Sequence, residues 1–457
     1  MTGRSKTNGK TIGRRRFLGG AGAAAAFTIV PRGVLGGPGR RAPSDRIRIA
    51  GIGVGGQGGG DIRAVGGEDV VALCDVDDRR AGDSFRRFPK AKRYRDFRKM
   101  LDEMHRGIDA VVVGTPDHTH AVACMAAIRR GKHVYCEKPL AHSIHEVRRL
   151  RQAARRHKVI TQLGNQGHSS EHIRLFCEWI WDGAIGKVTE VHATCGVGPR
   201  PGGYSRVAQL HRLQETHEVP KGLDWDLWVG PAKMRPYHPM YVPGAWRGWL
   251  YFGTGAIGDW ICHVVDPSFW ALDLGAPKAI RAEAKGYDPA RHAVVYPPGT
   301  KITFEFPAKG KRGPVKLIWF DGNWMPPRPA ELEPKRQIPR TGAIVIGEKG
   351  TITHGSHGAG GVRIVPESKM RAYDRPPRKL PRTRGHHRDW LEAIRRGRPA
   401  GSHFDYGGPL TELALLGLIA IRFLAQRLEW DAEKMQFPNC AEANAYVHPP
   451  YRPGWTL

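Results

Sequence analysis

Short β-rich runs alternate with helical runs from Arg46 to about residue 165, and this alternation constrains the fold more than any other feature. The first run, RIRIAGIG, leads into a glycine turn and a helix; DVVALCDVD, IDAVVVGTPDHTH, KHVYCEKP and VITQLGNQG read as further strands. Strands separated by helices predict a parallel sheet with crossover helices. We therefore predict an α/β fold whose residues 45–165 form a doubly wound domain.

A different pattern follows from about residue 166. The helical run EHIRLFCEWIWDGAIG precedes strand-like runs such as KVTEVHATC, KITFEFPA, VKLIWFDG and GAIVIGEKGTITH, several of them joined by short glycine turns. Such turns are typical of antiparallel strands. Residues 166–457 are predicted to form an α+β domain with a large, mostly antiparallel sheet. Within it, residues 198–250 are predicted to form a long irregular segment. In a compact domain such a segment more often contributes to a functional site than only to packing.

The N-terminal run GRRRFLGGAGAAAAFTIV places Arg14 and Arg15 before an Ala/Gly-rich apolar stretch. It resembles a twin-arginine export signal. The apolar stretch is too short and too rich in glycine for a stable membrane span, and a basic disordered tail is the alternative. We predict that residues 1–44 are a signal and linker, and that the protein is periplasmic or in the cell envelope.

The composition of the chain indicates which kinds of binding partner are expected. The formal net charge is +29, but Lys and Arg are spread along the chain without a nucleic-acid motif. This disfavours a direct nucleic-acid function and leaves weak attraction to an anionic polymer open. None of the seven cysteines forms a CxxC pair, so small buried thiols are expected rather than a disulfide framework.

A glycine motif lies between the first strand and its helix. In Gly51-x-Gly53-x-x-Gly56, which includes Gly55, the glycines allow a tight turn, close approach to a pyrophosphate and close helix packing. Asp75 ends the second strand about twenty residues on, where an acid hydrogen-bonds a ribose 2′-hydroxyl and favours NAD. The Arg79–Arg80 pair leaves NADP open, because it could bind a 2′-phosphate instead.

Two further strand ends carry polar motifs at the edge of the sheet where ligands bind in such folds. In GTPDHTH, Thr115 and Pro116 are expected to line the nicotinamide side, and His118 and His120 to shape the cofactor pocket. H-x-H can chelate a metal, but no further ligand has suitable spacing, so no metal is predicted. In EKP, Pro139 restricts Lys138 to extended geometry. Lys138, beside Glu137, is predicted to bind a substrate hydroxyl and tune its proton affinity; a surface Glu–Lys pair is the alternative.

The run YFGTGAIGDWICHVVDP supplies a candidate base. Asp259 and His263 are four residues apart, which places both on one face of a helix. Histidine suits general-base chemistry near neutral pH, and Asp259 could orient it or bind a hydroxyl. A histidine buried in the core is the alternative, since the flanking residues are apolar.

The order GIGVGG, CDVD, GTPDHTH, EKP and GTGAIGDWICH resembles the glucose–fructose oxidoreductase, inositol dehydrogenase and MocA superfamily, from about Arg46 to the C-terminus. GNQGHSSE, GLDWDLWVGPA and FDYGGPLTE resemble its exported bacterial branch. The resemblance implies that Lys138, Asp259 and His263 match the family's catalytic Lys, Asp and His, and that the protein is a homo-oligomer, a dimer or tetramer. Ile261 and Thr254 replace glycines found in many members.

Three functions remain open at this point. The first is an NAD(P)-dependent oxidoreductase for a sugar or polyol, with a tightly bound cofactor because free NAD is scarce outside the cytoplasm. The second is an NAD-assisted glycoside hydrolase or lyase, and the third is a non-catalytic carbohydrate-binding protein. Candidate substrate-binding residues are Trp246, Arg247, His238 and Tyr241, with Trp225 and Trp228; a structural aromatic cluster is the alternative reading of the same residues.

Overall fold

The computed structural model describes residues 45–196, 204–322 and 324–457. The twin-arginine motif, most of the predicted linker and the first part of the irregular segment lie outside these residues. Ile47–Leu457 forms one unit.

The N-terminal part of this unit contains a six-stranded parallel sheet in the order β3-β2-β1-β4-β5-β6. Its strands are β1 (Arg48–Ile52), β2 (Asp69–Cys74), β3 (Lys92–Tyr94), β4 (Ala110–Val113), β5 (His133–Cys136) and β6 (Thr161–Leu163). Every residue of β4, AVVV, is buried, as expected for a central strand covered on both faces. The order reverses between β1 and β4, which confirms the doubly wound prediction.

Five helices connect these strands: α1 (Gly56–Ala64), α2 (Asp78–Arg87), α3 (Phe97–Met104), α4 (Asp117–Arg129) and α5 (Ile144–His157). Local sequence fixes several of their starts. Asp77 caps α2 by accepting from the amides of Arg79 and Arg80, and Ser143 and Glu146 form a reciprocal capping box at α5. Each cap satisfies amides that the first helical turn leaves unpaired.

The C-terminal part contains an eight-stranded sheet in the order β13-β12-β11-β7-β10-β9-β8-β14. Its strands are β7 (Val188–Cys195), β8 (Ala279–Ala284), β9 (Thr300–Phe306), β10 (Val315–Asp321), β11 (Thr341–Gly347), β12 (Gly350–Gly355), β13 (Arg363–Val365) and β14 (Arg427–Glu429). Among the described strands of this sheet, only the β7–β10 pair is parallel. The predicted mostly antiparallel sheet is therefore confirmed.

The helices of this part are α6 (Glu171–Asp182), α7 (Trp225–Val229), α8 (Gly255–Val264), α9 (Asp266–Ala271), α10 (Glu367–Ala372), α11 (His386–Arg396) and α12 (Phe404–Ala420). Short 3-10 helices occur at His105–Gly107, Gln166–Ser169, Val207–Gln214, Ala245–Gly248 and Ala441–Tyr446. A single turn, Ser356–Ala359, follows β12. The Pro/Arg-rich segment 366–386 contains α10. Within the described ranges, none of the helices has the length and apolar character needed to cross a membrane.

Helix α11 departs from the linear division of the chain at residue 165. Its Trp390 is fully buried and packs in the same apolar cluster as Ile49 and Tyr135 of the parallel sheet, with the Trp390 and Tyr135 ring centroids 5.7 Å apart. An amphipathic helix far along the chain thus covers one face of the first sheet. The doubly wound domain is completed by residues that the sequence pattern assigned to the second domain.

Two smaller features test expectations from composition. All seven cysteines are buried and unbridged, as expected for small apolar side chains. Part of the irregular segment forms its own apolar cluster around Trp225, Tyr241, Trp249 and Phe252. This cluster packs beside the carboxyl edge of the parallel sheet, through the contact of Trp228 with His118 on α4.

Candidate active site

The glycine turn between β1 and α1 brings three chain segments into close contact. Gly53 has φ +74°, and a Cβ there would lie 2.7 Å from the amide nitrogen of Thr115. A Cβ on Gly58 would lie 1.9 Å from the Gly53 carbonyl oxygen. Close helix packing therefore depends on Gly58, and on Gly51, whose Cβ would meet side chains of the turn and helix α1 at 2.6–2.9 Å. The motif assigned this packing role to Gly56, so that assignment is corrected.

Asp75, at the end of β2, is tied to the same turn. Its Oδ2 accepts hydrogen bonds from the amides of Val54 at 2.8 Å and Gly55 at 3.1 Å, and its Oδ1 accepts from Asp77 at 3.0 Å. Burial raises the pKa of Asp75, and these amides oppose the rise. The carboxylate thus shapes the turn, a role that the sequence motif did not indicate.

One cavity of about 390 Å³ runs from the glycine turn to helix α8. It collects residues that lie far apart in the sequence, at the carboxyl ends of β1, β2, β4 and β5. The predicted residues that line it are Gly53, Gly55, Asp75, Thr115, Pro116, His120, Glu137, Lys138, Trp228, Trp246, Arg247, Asp259 and His263. The carboxyl edge of a doubly wound sheet is where such folds bind ligands.

Lys138 and Asp259 form a largely buried ion pair in this cavity, with side chains 12% and 15% exposed. Asp259 also accepts a hydrogen bond from the hydroxyl of Tyr204, and its Oδ2 lies 3.3 Å from Nε of Arg247. Burial alone would raise the pKa of Asp259, but Lys138 and Arg247 hold it well below its usual range. Burial also opposes the charge on Lys138, yet Asp259 and Glu137 outweigh this and raise its pKa. The pair is therefore ionised at neutral pH.

His263 lies one helical turn after Asp259 on α8, as the spacing predicts. It is 5% exposed, and its Nδ1 has no hydrogen-bond partner among the described residues. Burial lowers the pKa of His263 well below its ordinary value; Lys138 and His357 lower it further, while Asp259 acts in the opposite direction. A neutral imidazole beside an ammonium group is the protonation state that a general base needs.

Two further buried acids, Glu137 and Asp117, line the cavity. Burial raises the pKa of Glu137 to about 8, assisted by Asp61, and Glu137 accepts a hydrogen bond from Gln166 at 2.7 Å. Burial raises the pKa of Asp117, in the first turn of α4, to about 6. Asp117 Oδ2 accepts a 2.6 Å hydrogen bond from the Thr254 hydroxyl. Thr254, which replaces a glycine of the family motif, thus stabilises a buried carboxylate.

Several predicted residues lie outside the cavity lining. The ring nitrogens of His118 lie 3.2 Å and 3.0 Å from the carbonyl oxygens of Phe252 and Trp228, so His118 joins α4 to the aromatic cluster. Tyr241 packs inside that cluster. His238 lies at its edge, against the carbonyl of Arg212. Cofactor contact by His118 and substrate contact by His238 and Tyr241 are not supported by these positions, because each side chain is occupied in packing.

His238 also belongs to a group of metal-ligand type, with Glu215 and His217, whose ligand atoms lie within 4.8 Å of one another. Its ring is already engaged, since Nδ1 accepts from the amide of Met240 at 3.1 Å and Nε2 lies 3.0 Å from the Arg212 carbonyl. A neutral imidazole has one ring nitrogen with a lone pair that can accept a hydrogen bond or bind a metal, and its other ring nitrogen carries a proton. A metal at Nε2 would break both contacts, so the geometry gives no support for a metal site here.

Asp117, Tyr204 and His357 are among the residues of the cavity region that sequence reasoning missed. Asp117 lies inside the quoted GTPDHTH motif, and its position at a strand end was a usable signal. Tyr204 and His357 reach the site from distant segments, Tyr204 beside residues 197–203 and His357 from the turn after β12. The glycines of GSHGAG predict a tight turn, but nothing local indicates that this turn contacts His263.

The cavity fits a dinucleotide on the evidence of its own atoms. Gly53 admits close backbone approach, and helix α1 points its N-terminus at the turn, which favours phosphate. Near the other end, the buried Oγ1 of Thr115 and Nδ1 of His263 have no partner among the described residues. A nicotinamide dinucleotide would be held by the glycine turn, Asp75 and Thr115. It would supply a hydride acceptor or donor beside Lys138 and His263.

A doubly wound sheet with this turn, joined to a mostly antiparallel domain that carries a Lys–Asp–His group, defines a dinucleotide-binding oxidoreductase architecture. Two family models agree: the oxidoreductase family's NAD-binding Rossmann fold matches residues 46–165, and the family's C-terminal alpha/beta domain matches residues 206–308. The chain belongs to this family, named for glucose–fructose oxidoreductase, inositol dehydrogenase and MocA. Its N-terminal domain is the NAD-binding domain of the family.

Curated relatives include two dehydrogenases. Levoglucosan dehydrogenase of Pseudarthrobacter phenanthrenivorans is 28% identical over 220 residues, covering 48% of this chain and 46% of that protein. Inositol 2-dehydrogenase of Rubrobacter xylanophilus is 35% identical over 117 residues, covering 25% and 33%. The chain thus matches less than half the length of either relative.

Solved structures share the fold over more of the chain. Aldose–aldose oxidoreductase from Caulobacter crescentus, complexed with glycerol, superposes with a TM-score of 0.54 at 16% identity, covering 84% of this chain and 99% of that one. An inositol dehydrogenase homolog from Azotobacter vinelandii, complexed with NAD+, gives a TM-score of 0.54 at 17% identity, covering 84% and 97%. At this identity the likeness establishes the two-domain fold.

Proposed function

We propose that this protein is an NAD(P)-dependent oxidoreductase that oxidises a hydroxyl-bearing carbon of a sugar or polyol, or reduces the corresponding carbonyl. The observation that carries the proposal is the meeting of Lys138, Asp259 and His263 in the same cavity as the glycine turn. The curated relatives are dehydrogenases of an anhydrosugar and of inositol, which supports a polyhydroxylated substrate.

The three side chains have different roles in the proposed reaction. His263, neutral because it is buried, takes the hydroxyl proton as the carbon–hydrogen bond breaks. The Lys138 ammonium donates a hydrogen bond to the same oxygen and stabilises the negative charge that develops there. Asp259 keeps Lys138 charged and fixes its position. In the reverse direction His263 returns the proton to the oxygen.

The cavity walls suit a sugar. Trp246 and Trp260 line it beside Arg247, and the Arg247 guanidinium carbon lies 4.2 Å from the centre of the Trp246 ring. Aromatic faces pack against the C–H surfaces of a sugar ring, and a guanidinium donates to its hydroxyls. We assign Trp246 and Arg247 to substrate binding.

The cofactor is NAD in this proposal, because Asp75 lies at the cavity end where a ribose diol would bind. Arg80 and Arg95 also line that end, so a 2′-phosphate has cationic partners. The twin-arginine motif supports export to the periplasm or cell envelope after folding. An exported enzyme of this kind retains its cofactor, which is re-oxidised in place by a second sugar or a partner.

The direct test is to purify the protein without added nucleotide, denature it and identify the released compounds by mass spectrometry. Release of one NAD per chain supports the captive cofactor, and release of NADP transfers the assignment to NADP. The holoenzyme is then incubated with a panel of sugars, polyols and glycosides. Oxidised sugar with reduced cofactor supports the proposal. Release of free sugar from a glycoside without net reduction of the cofactor identifies NAD-assisted cleavage instead. If no compound of the panel is converted but a sugar binds tightly, the protein is a binding protein.

Export and assembly have their own tests. Replacing Arg14 and Arg15 with lysine should retain the protein in the cytoplasm; unchanged export would contradict a twin-arginine route. We also propose a homo-oligomer, a dimer or tetramer, formed through the outer face of the second sheet, where Ile318 of β10 is partly exposed and Lys316 is exposed. Mass photometry of Ile318→Glu checks this. The substitution places a negative charge on this face of every copy, and the resulting repulsion should dissociate the oligomer.

A further inference from the structure

A second histidine lies directly on the proposed base. The rings of His263 and His357 are stacked, with centroids 4.1 Å apart and planes inclined by 16°. The edge of the Trp260 indole meets His357 at 5.7 Å and 88°. His357 also lines the cavity and is itself exposed. It therefore covers the face of His263 that would otherwise meet solvent.

The backbone at this position is held in a costly conformation. His357 has φ 55° and ψ 55°, Gly358 has φ 81° and Ala359 has φ 61°. Left-handed φ costs a non-glycine residue about 1–2 kcal/mol, and it persists only where the surroundings determine it. Here the turn is fixed against Gly167: a Cβ on Gly358 would lie 2.0 Å from the Gly167 carbonyl oxygen. Ser170 Oγ donates to the Gly358 carbonyl at 2.8 Å.

The hydrogen bonds of His357 fix its ring and limit its role. Its Nδ1 lies 2.9 Å from the hydroxyl oxygen of Ser356. The N–H and lone-pair directions of an imidazole lie in the ring plane, so two parallel stacked rings cannot pass a proton between them. His357 is thus suited to hold His263 in place, and unsuited to relay its proton.

The charges around His263 agree with that role. Lys138, Asp259 and His386 act on the pKa of His263 together with His357. His386 is held against strand β6 by its contact with the Leu163 carbonyl, and His357 stacks on the imidazole ring. Burial lowers the pKa of His357, and Lys138 lowers it further. The stacked partner is therefore neutral when His263 accepts a proton. Two stacked imidazolium ions would repel each other strongly in such a site.

We propose that His357 is a positioning residue, which fixes the ring plane of His263 by stacking and closes its outer face to water. The inference rests on the proposed function of His263 as the base. Removing the ring of His357 would let water reach His263, bring its pKa towards the ordinary value and let its imidazole turn away from the hydroxyl proton. Chemistry should suffer more than substrate binding.

The test compares three variants. His357→Asn removes the ring but keeps a residue that tolerates left-handed φ, and His357→Phe keeps a flat ring without a titrating group. Ala359→Gly relieves the same kind of strain two residues away and is the control for turn conformation. We expect His357→Asn to lower kcat about tenfold with little change in KM. The acid limb of kcat/KM should move to higher pH. His357→Phe should restore most of kcat, and Ala359→Gly should match wild type.

NMR titration of the His263 imidazole, assigned with His263→Asn, gives a readout that does not depend on turnover. The His263 pKa should rise in His357→Asn and stay low in His357→Phe. An unchanged His263 pKa and pH profile in His357→Asn would overturn the inference, and so would a change confined to KM. If the pKa rises as expected but wild type transfers no hydride, the positioning role stands and the proposed function fails.

Discussion

Lys138, at the end of strand β5, forms a largely buried ion pair with Asp259 on helix α8. The pair joins the parallel sheet of the first domain to the helix that carries the proposed base. Each partner is charged because of the other: Asp259 raises the pKa of Lys138, and Lys138 lowers that of Asp259. The same contact therefore fixes the relative position of the two domains at the site and the protonation state of its central cation.

Lys138→Met should lower kcat much more severely than it lowers the thermal stability of the protein. The variant loses the donor to the substrate oxygen, a change that costs about 10²–10³ in kcat for comparable donors. Asp259 keeps Arg247 and Tyr204 as partners, so the protein should fold with a lowered melting temperature. Steady-state kinetics and thermal melts measure both effects. Lys187→Met, at an exposed position, is the control; retained turnover in Lys138→Met would contradict the assigned role.

Glu137 should make the protein less stable as the pH rises. Its pKa is about 8 when folded against an ordinary value of 4.5, so folding favours its protonated form. Its contribution is full below about pH 4.5 and is lost as the pH rises through 8. At about 1.4 kcal/mol per pKa unit, the effect is on the order of a few kcal/mol.

Glu137→Gln tests this, because glutamine keeps the shape and the acceptor for Gln166. We expect the variant to melt higher than wild type at pH 9 and equally at pH 4. A stability difference that does not change with pH would show that Glu137 does not titrate in this range.

The fold could be predicted well because its signals are local. The alternation of β-rich and helical runs over 45–165, and the glycine turns between later strands, each reflect contacts between neighbouring segments. The strand-end motifs were informative for the same reason: parallel strands place their carboxyl ends at one edge, so Thr115, Glu137 and Lys138 had to converge. Helix α11 escaped prediction because its partner, the first sheet, lies more than two hundred residues earlier in the chain.

The limits of the sequence appear most clearly in the aromatic segment. Trp246 and Tyr241 carry equivalent sequence signals, yet Trp246 lines the cavity and Tyr241 packs in the aromatic core. Both rings are shielded from water, so the sequence alone does not distinguish an aromatic residue of the cavity wall from one of the aromatic core. His357 was missed for another reason: its stacking on His263 depends on a left-handed turn fixed against Gly167, a contact between distant segments.

Two glycines of helix α1 should respond in opposite ways to alanine. A Cβ on Gly58 would lie 1.9 Å from the Gly53 carbonyl, whereas one on Gly60 meets only an arginine side-chain end at 3.8 Å. Gly58→Ala should destabilise the protein by about 1–3 kcal/mol through overpacking, and weaken NAD binding by displacing the turn. Gly60→Ala should stabilise it by about 1 kcal/mol through helix propensity. Denaturant titration and fluorescence binding of NAD compare them; equal effects would contradict the packing described for the turn.

Thr254→Val should destabilise the protein most where Asp117 is ionised. The variant removes the 2.6 Å hydrogen bond from Thr254 to the buried Asp117, which leaves a carboxylate oxygen without its donor at a cost of about 1–3 kcal/mol. The pKa of Asp117, about 6 in the wild type against an ordinary 3.8, should rise further. The loss relative to wild type should therefore be larger at pH 8 than at pH 5, where Asp117 is mostly protonated in both proteins. Thr254→Ser keeps the hydroxyl and is the matched control. Denaturant titration at both pH values decides, and an equal loss at pH 5 and pH 8 would mean that Thr254 acts through packing alone.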